Sequence, residues 1–435
     1  MAEPASILVS HPGGAHFVYE LAAAVAATGH RCEFDTGFYF DDHGPLARLV
    51  EALPSRLADR LRRELGRRRH PALDPEIVRT HPMPELVYVA AARLGLAPAR
   101  LGRVLRWRDD LIDRHVAHRV LELRPDIAIA HDGSALHTFG AARRAGTASV
   151  LNQVIGHIAS GLRILGEEAR LHPEFADSLH VDAPPGLVER CLAEARAADL
   201  VLAPSDYVKR TLIEQGVRAD AIRLLPYGVR AERFTPAAPR DDGVFRLLYV
   251  GQISQRKGLK YMLEAVRRIA RKDVELVLVG GIVGTGAGLA PYREWFRHVR
   301  NVPHAEVHRL FQSADAFVYP SLHEGSALAI YEALACGLPA IVTENAGSVV
   351  RDGIEGYVVP IRDVDAIVDR IERLRADPER RRAMATAARA RAEAFTWDTY
   401  RRDLARILDD VLAAQSERRR PTSQGVGRPR PSKTA

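Results

Sequence analysis

Short apolar runs, each followed by a polar or glycine-bearing turn and then a longer helical stretch, recur along this chain. That alternation admits few folds besides parallel sheets covered by helices on both faces. Ser6–Ser10 reads as a strand, His11-Pro12-Gly13-Gly14-Ala15 as a turn, Phe17–Thr28 as a helix and Arg31–Phe34 as a second strand. Strand-like runs return at Ile127–Ala130, Ala148–Leu151 and Leu200–Ala203, and Ser205 stands where an N-cap opens the next helix. The stretch Phe234–Gly243 holds Pro236, Pro239, Asp241 and Asp242, a composition break of the kind that joins domains. Beyond it, strands are predicted at Phe245–Val250, Glu275–Val279, Ala316–Tyr319 and Ala340–Thr343. Helices are predicted between and after them at Lys260–Arg271, Ala327–Cys336 and Asp365–Ala376.

The expected class is therefore α/β, with two Rossmann-like, doubly wound parallel-sheet domains over residues 1–235 and 236–396. A helix over 397–415 is expected to pack back on the first domain, and the basic tail 416–435 to be disordered. In such sheets ligands bind beyond the carboxyl ends of the strands.

With 47% hydrophobic and 27% charged residues in 435, the chain can bury two ordinary cores. It has no uncharged apolar run of about 18 residues, so no membrane-spanning helix is expected. The N-terminus lacks the basic and apolar regions of a signal peptide. Cys32, Cys191 and Cys336 are far apart and show no zinc-like spacing, which suits a reducing compartment. These features predict a cytoplasmic protein.

The net charge of +7 is local. Residues 46–120 carry sixteen Arg, no Lys and nine Asp or Glu, a surplus of +7. Residues 417–435 carry six cations and one acid, a surplus of +5, so the rest of the chain is acidic. Residues 46–120 read as mostly helical and broken by prolines. Two readings stay open for this insert: an Arg-rich helical lid, or a peripheral contact with an anionic membrane or lipid-linked acceptor. No recognition helix or aromatic platform points to nucleic acid.

The chemistry concentrates between Tyr319 and Pro339. A strand ends near Pro320, a loop crosses Glu324 and Gly325, and a helix is expected to start near Ser326. The unpaired first-turn amides and the helix dipole suit a diphosphate there. Glu324 and Glu332, eight positions apart, lie roughly 12 Å from one another along such a helix. Upstream, Gly251-Gln252, Arg256, Lys257 and Gly258 follow the strand Phe245–Val250, a turn with cations before a helix.

This pattern resembles the Glu-x7-Glu element of the retaining glycosyltransferases of family 4, which have the two-domain GT-B fold. The resemblance implies that Glu324 binds donor-sugar hydroxyls and Glu332 the ribose, and that amides at Ser326, Ala327 and Leu328 meet the sugar and diphosphate. Ser326-Ala327 stands where the family usually has Phe-Gly. Lys257 falls on the family's diphosphate lysine, whereas Gln252 takes the place of its arginine and Arg256 is the substitute cation. Gly280, in Val279-Gly280-Gly281, resembles the glycine turn beside the nucleotide base, and Gly13 and Gly14 the glycine loop near phosphate and acceptor. Pro226–Val229 with Phe234 resembles the family's hinge, with Arg230 at its usual acidic position. His131 follows a strand where many members place an active-site histidine. A satisfied structural histidine is the other reading, and His157 is an alternative cleft histidine. His304 is assigned no role.

The implied activity is transfer, with retention, of a hexose-type sugar from a nucleotide diphosphate donor to a hydroxyl of a glycan, lipid-linked or small-molecule acceptor. Polysaccharide biosynthesis is the implied setting. Lys257, Glu324 and His131 are the implied catalytic set. No cofactor or metal is expected, because cations of the chain sit where a divalent ion would. The only Asp-x-Asp, Asp363-Val364-Asp365, opens a late helix and reads as a cap. A GT-B nucleotide-sugar epimerase or hydrolase, and a catalytically idle scaffold, are the competing functions.

Overall fold

A computed structural model describes residues 4–13, 16–238, 240, 242–300, 302–303 and 306–419. The first sheet comprises β1 (Ser6–His11), β2 (Arg31–Thr36), β3 (Val78–Thr80), β4 (Ile127–His131), β5 (Ala148–Asn152), β6 (Leu200–Ala203) and β7 (Ile222–Leu224). The second comprises β8 (Phe245–Val250), β9 (Val274–Val279), β10 (Arg297–Val299), β11 (Ala316–Tyr319), β12 (Ala340–Thr343) and β13 (Gly356–Val359). Every pairing between these strands is parallel. The orders are β3-β2-β1-β4-β5-β6-β7 and β10-β9-β8-β11-β12-β13. The two-sheet α/β expectation is borne out. The central strands read as unbroken apolar runs because helices cover both faces: β4, β5, β11 and β12 are buried at every position.

These orders position the site. Each sheet reverses its winding once, between β1 and β4 in the first and between β8 and β11 in the second. A crevice opens beyond the strand ends at such a switch point. The loops there are the ones after His11, His131, Val250 and Tyr319.

Several boundaries differ from expectation. The three-residue strands β3, β7 and β10 are too short to show a period of two, and β3 comes out of the Arg-rich insert to pair with β2. Prolines in and just before that insert begin helices: Pro45–Glu51, Pro82–Arg93 and Pro98–Leu123 each start on one. The missing amide of proline costs nothing in a first helical turn. Asp363 caps the helix Val364–Ala376 by accepting from the Ala366 amide at 2.8 Å. Ser205 likewise caps Asp206–Glu214.

The last helix runs from Trp397 through Arg419, past the expected end, so the first residues of the basic tail are helical. It returns to the first domain, where Gln415 donates to the Gly146 carbonyl at 2.8 Å and Arg418 pairs with Asp199 at 2.6 Å. Residues 420–435 lie outside the described residues. Among the described residues, no helix is long and apolar enough to cross a membrane.

Candidate functional site

On the second sheet, the turns after β8 and β9 each need a glycine. Gly258 has φ +72, and a Cβ on it would lie 1.9 Å from the Pro320 carbonyl oxygen. Gly280 has φ +138, and its Cβ would lie 2.0 Å from the Gly251 oxygen. The first close approach lays the short turn Gln255–Lys257 against the loop after β11. Arg256 and Lys257 are thereby brought onto Glu324. Arg256 Nη1 donates to the His323 carbonyl at 2.9 Å and lies 3.2 Å from Glu324 Oε2, which also pairs with Lys257 Nζ. The Tyr319 ring, stacked on Tyr249, lies 5.2 Å from Lys257 Nζ.

Burial pushes the Lys257 ammonium well below 10.5, and Arg256 adds to that. The Glu324 carboxylate touches it directly. Two basic side chains thus face one carboxylate, an arrangement suited to an anion.

The helix after this loop spans Leu328–Ala335, two residues later than expected. Ala327 is still extended (φ −80, ψ 107), and the Ser326 hydroxyl is turned to the Tyr331 hydroxyl at 2.9 Å. No side chain caps this helix, so its first-turn amides are left for another acceptor. Glu332 is half-buried on the same helix. Burial raises its carboxyl to about 7, against the opposing charge of Arg233. Gln252 is exposed at the end of β8, where its carbonyl accepts from Tyr249 at 2.6 Å.

On the first sheet, the Gly13 amide donates to His11 Nδ1 at 2.9 Å, and the His11 and His131 rings meet edge to face at 4.5 Å. Gly14 and His304 lie outside the described residues. His131 is buried, with Nδ1 2.9 Å from the Ser10 oxygen and Nε2 2.8 Å from Asn152 Nδ2. Both ring nitrogens thus have partners within the first domain, and burial holds the ring neutral. His157 caps the helix Ile158–Leu171 by accepting from the Ala159 amide at 3.3 Å.

The two sides meet at the glutamate loop. A Cβ on Gly325 would lie 1.8 Å from the Val154 oxygen, and the Gly156 amide donates to the Glu324 carbonyl at 3.2 Å. Ser205 Oγ donates to the Gly325 oxygen at 2.5 Å. His323 fills a slot between Gly156 and Gly161, with Nδ1 2.7 Å from the Tyr207 hydroxyl. The sequence reading gave no role to His323, or to Asp132, whose buried carboxyl is raised to about 7 and accepts from Gln153 Nε2 at 3.1 Å. Their only signal in sequence is position: each adjoins a residue singled out for chemistry.

Residues 231–391 match the family described as glycosyl transferases group 1. A D-inositol 3-phosphate glycosyltransferase of Geodermatophilus obscurus is 31% identical over 246 residues, which cover 51% of this chain and 52% of that protein. The chain thus spans about half the length of that relative. Among solved structures, Anabaena HepE in complex with UDP and glucose aligns with a TM-score of 0.61 at 16% identity, over 93% of this chain and 100% of that one. A sucrose-phosphate synthase from Thermosynechococcus elongatus aligns with a TM-score of 0.61 at 18% identity, over 94% and 99%. At these identities the likeness is one of fold, and the fold is GT-B.

Proposed function

We propose that this chain, which belongs to the group 1 glycosyl transferases through residues 231–391, moves a hexose-type sugar from a nucleotide diphosphate donor to an acceptor hydroxyl with retention. The observation that carries the reading is the buried Arg256–Lys257–Glu324 cluster beside the uncapped start of the helix that bears Glu332. A UDP-sugar is the first donor to consider, given the UDP and glucose bound by HepE. The acceptor is a hydroxyl of a glycan, a lipid-linked or a small molecule, and the site of action is cytoplasmic, peripheral at a membrane face.

In this reading the diphosphate enters between Arg256, Lys257 and the amides of Leu328 and Ala329, displacing part of the hold that both cations have on Glu324. The freed Glu324 carboxylate accepts from sugar hydroxyls, and Glu332 accepts from the ribose. The bond between the anomeric carbon and the diphosphate oxygen breaks as the acceptor oxygen bonds to the same face of that carbon. The acceptor's proton passes to the departing phosphate oxygen. Cations and amides fixed before the reaction stabilise the charge that grows on that oxygen. Gly13 and the His11–His131 pair form the opposite wall, with His131 positioning His11 rather than exchanging protons.

The test is a ligand-observed binding screen against UDP-, GDP- and ADP-sugars. One nucleotide class should bind, and Lys257→Ala and Glu332→Ala should each weaken it by roughly 10- to 100-fold, the worth of a hydrogen bond to a charged group. Binding by none of the panel, or binding indifferent to both substitutions, refutes the reading.

A further inference from the structure

Nine of the fifteen exposed large apolar side chains of the described residues lie between Leu46 and Trp107. They are ordered rather than scattered. On the helix Pro82–Arg93 and its C-cap, Met83, Leu86, Val87, Ala90 and Leu94 are all exposed, at offsets of 3, 4, 7 and 11 from the first. Such offsets define one stripe of an α-helix. Leu94 is 80% exposed and Val87, the least exposed of the large ones, 42%. Leu46, Leu49 and Leu53, on and just after Pro45–Glu51, repeat the pattern. The helices are tied together: Arg62 pairs with Glu51 at 3.4 Å and Arg93 with Glu64 at 3.4 Å. Trp107 is exposed on Pro98–Leu123, one turn beyond the exposed Arg103.

We propose that this face is a membrane-binding surface that seats in the headgroup region of an anionic bilayer. Charge complementarity selects that occupant. Residues 46–120 carry a surplus of +7 with no lysine, and Arg48, Arg56, Arg93, Arg100 and Arg103 are exposed around the apolar stripes. Apolar stripes rimmed by arginine, with tryptophan at the edge, are the composition of helices that lie in a lipid interface. Arginine there adds attraction to anionic headgroups and fades with salt.

The surface also bears on where the acceptor comes from. Glu85, on the buried side of the Pro82–Arg93 helix, pairs with Arg68 at 2.6 Å and Arg108 at 2.8 Å. The Arg108 guanidinium lies 3.5 Å from where a Gly13 Cβ would be. The lipid-facing stripe and the glycine loop are thus on opposite sides of one helix, about 10–12 Å across. A docked molecule holds the acceptor side of the cleft at the membrane surface, within reach of a lipid-linked hydroxyl. The surface itself does not depend on the donor-site reading.

The test is flotation of the full chain with vesicles of phosphatidylcholine, with and without phosphatidylglycerol. The wild type should float with the anionic vesicles and much less with the neutral ones. The exposed triple variant Leu86→Gln/Val87→Gln/Leu94→Gln should melt as the wild type does, keep donor affinity and bind vesicles roughly tenfold or more weakly. A chain ended after Arg419 should still bind. No flotation of the wild type, equal flotation of the triple variant, or loss of binding on removing 420–435 alone overturns the proposal. So does a wild-type dimer in solution that the triple variant turns into a monomer, since a second copy then covers the face.

Discussion

The ribose carboxylate gives the sharpest quantitative handle on the site. Burial raises Glu332 from the ordinary 4.5 to about 7. If its ionised form accepts from the ribose hydroxyls, donor affinity must follow the ionised fraction. That fraction is about 0.1 at pH 6 and about 0.9 at pH 8, so the dissociation constant should fall roughly tenfold across that range. The donor's diphosphate keeps its charge throughout, so it adds no slope of its own. Titration of the donor by calorimetry at half-unit steps of pH reads the effect, and Glu332→Gln should flatten it at a weakened affinity. The same shift bears on stability with a definite sign. A raised carboxyl favours the fold fully below 4.5, and that contribution is lost as pH climbs to about 7. At pH 8 the ligand-free Glu332→Gln variant should therefore be more stable than the wild type, and at pH 5 much less so. The gap in protonation energy caps the gain at about 3 kcal/mol, and partial exposure with Arg233 opposite reduces the expectation to about 1 kcal/mol. A donor affinity flat from pH 6 to 8, or a slope that persists in Glu332→Gln, refutes the assignment of the ribose to this carboxylate.

Two further outcomes follow from the cluster and the loop beside it. If Arg256 and Lys257 do the work of a divalent ion at the diphosphate, transfer should proceed unchanged in excess chelator; activity lost there and restored by magnesium or manganese refutes that role. Gly325→Ala places a Cβ 1.8 Å from the Val154 carbonyl, which as backbone cannot yield. The expected result is a turnover number lowered roughly tenfold or more with donor affinity changed less, because the domains are held apart while the donor half stays whole. Steady-state kinetics alongside donor titration checks it, and an unchanged turnover number shows that the two domains need not approach this closely.

The strand–helix alternation made both sheets legible before any coordinates, because strands buried on both faces write themselves as continuous apolar runs: Ile127–Ala130 and Ala316–Tyr319 are plain cases. Glu324, Glu332, Arg256 and Lys257 could be singled out because they lie in two local stretches. What the chain hid is non-local. The length of β3 gives no period, and its place in the sheet is set by β2, more than forty residues away. The start of the helix at Leu328 depends on Ser326 finding Tyr331, which helical propensity does not report. The partners of His131 come from Ser10 and Asn152, on two different strands. Above all, the stripe Met83, Leu86, Val87, Ala90 and Leu94 looks in sequence like any core-facing helix. Only coordinates show that the face is uncovered.

The domain interface explains why the cation–carboxylate cluster has the shape it does. Glu168, on the first-domain helix Ile158–Leu171, is fully buried and accepts from Gln255 Nε2 at 2.6 Å, the Tyr261 hydroxyl at 2.7 Å and Arg362 Nε at 2.8 Å. All three donors belong to the second domain. A carboxylate taken out of water this completely is costly unless such bonds offset the loss, so separation of the domains returns to Glu168 the hydration that closure removed. Gln255 is also the first residue of the turn that presents Arg256 and Lys257, and its backbone amide is held by Ser178 of the first domain at 3.0 Å. At the other end of the cluster, His323 beside Glu324 occupies the Gly156–Gly161–Tyr207 slot. First-domain residues thus grip both the cations and the carboxylate. The contacts of Arg256 and Lys257 with Glu324 lie within the second domain, so domain approach braces an anion site that the donor half already forms.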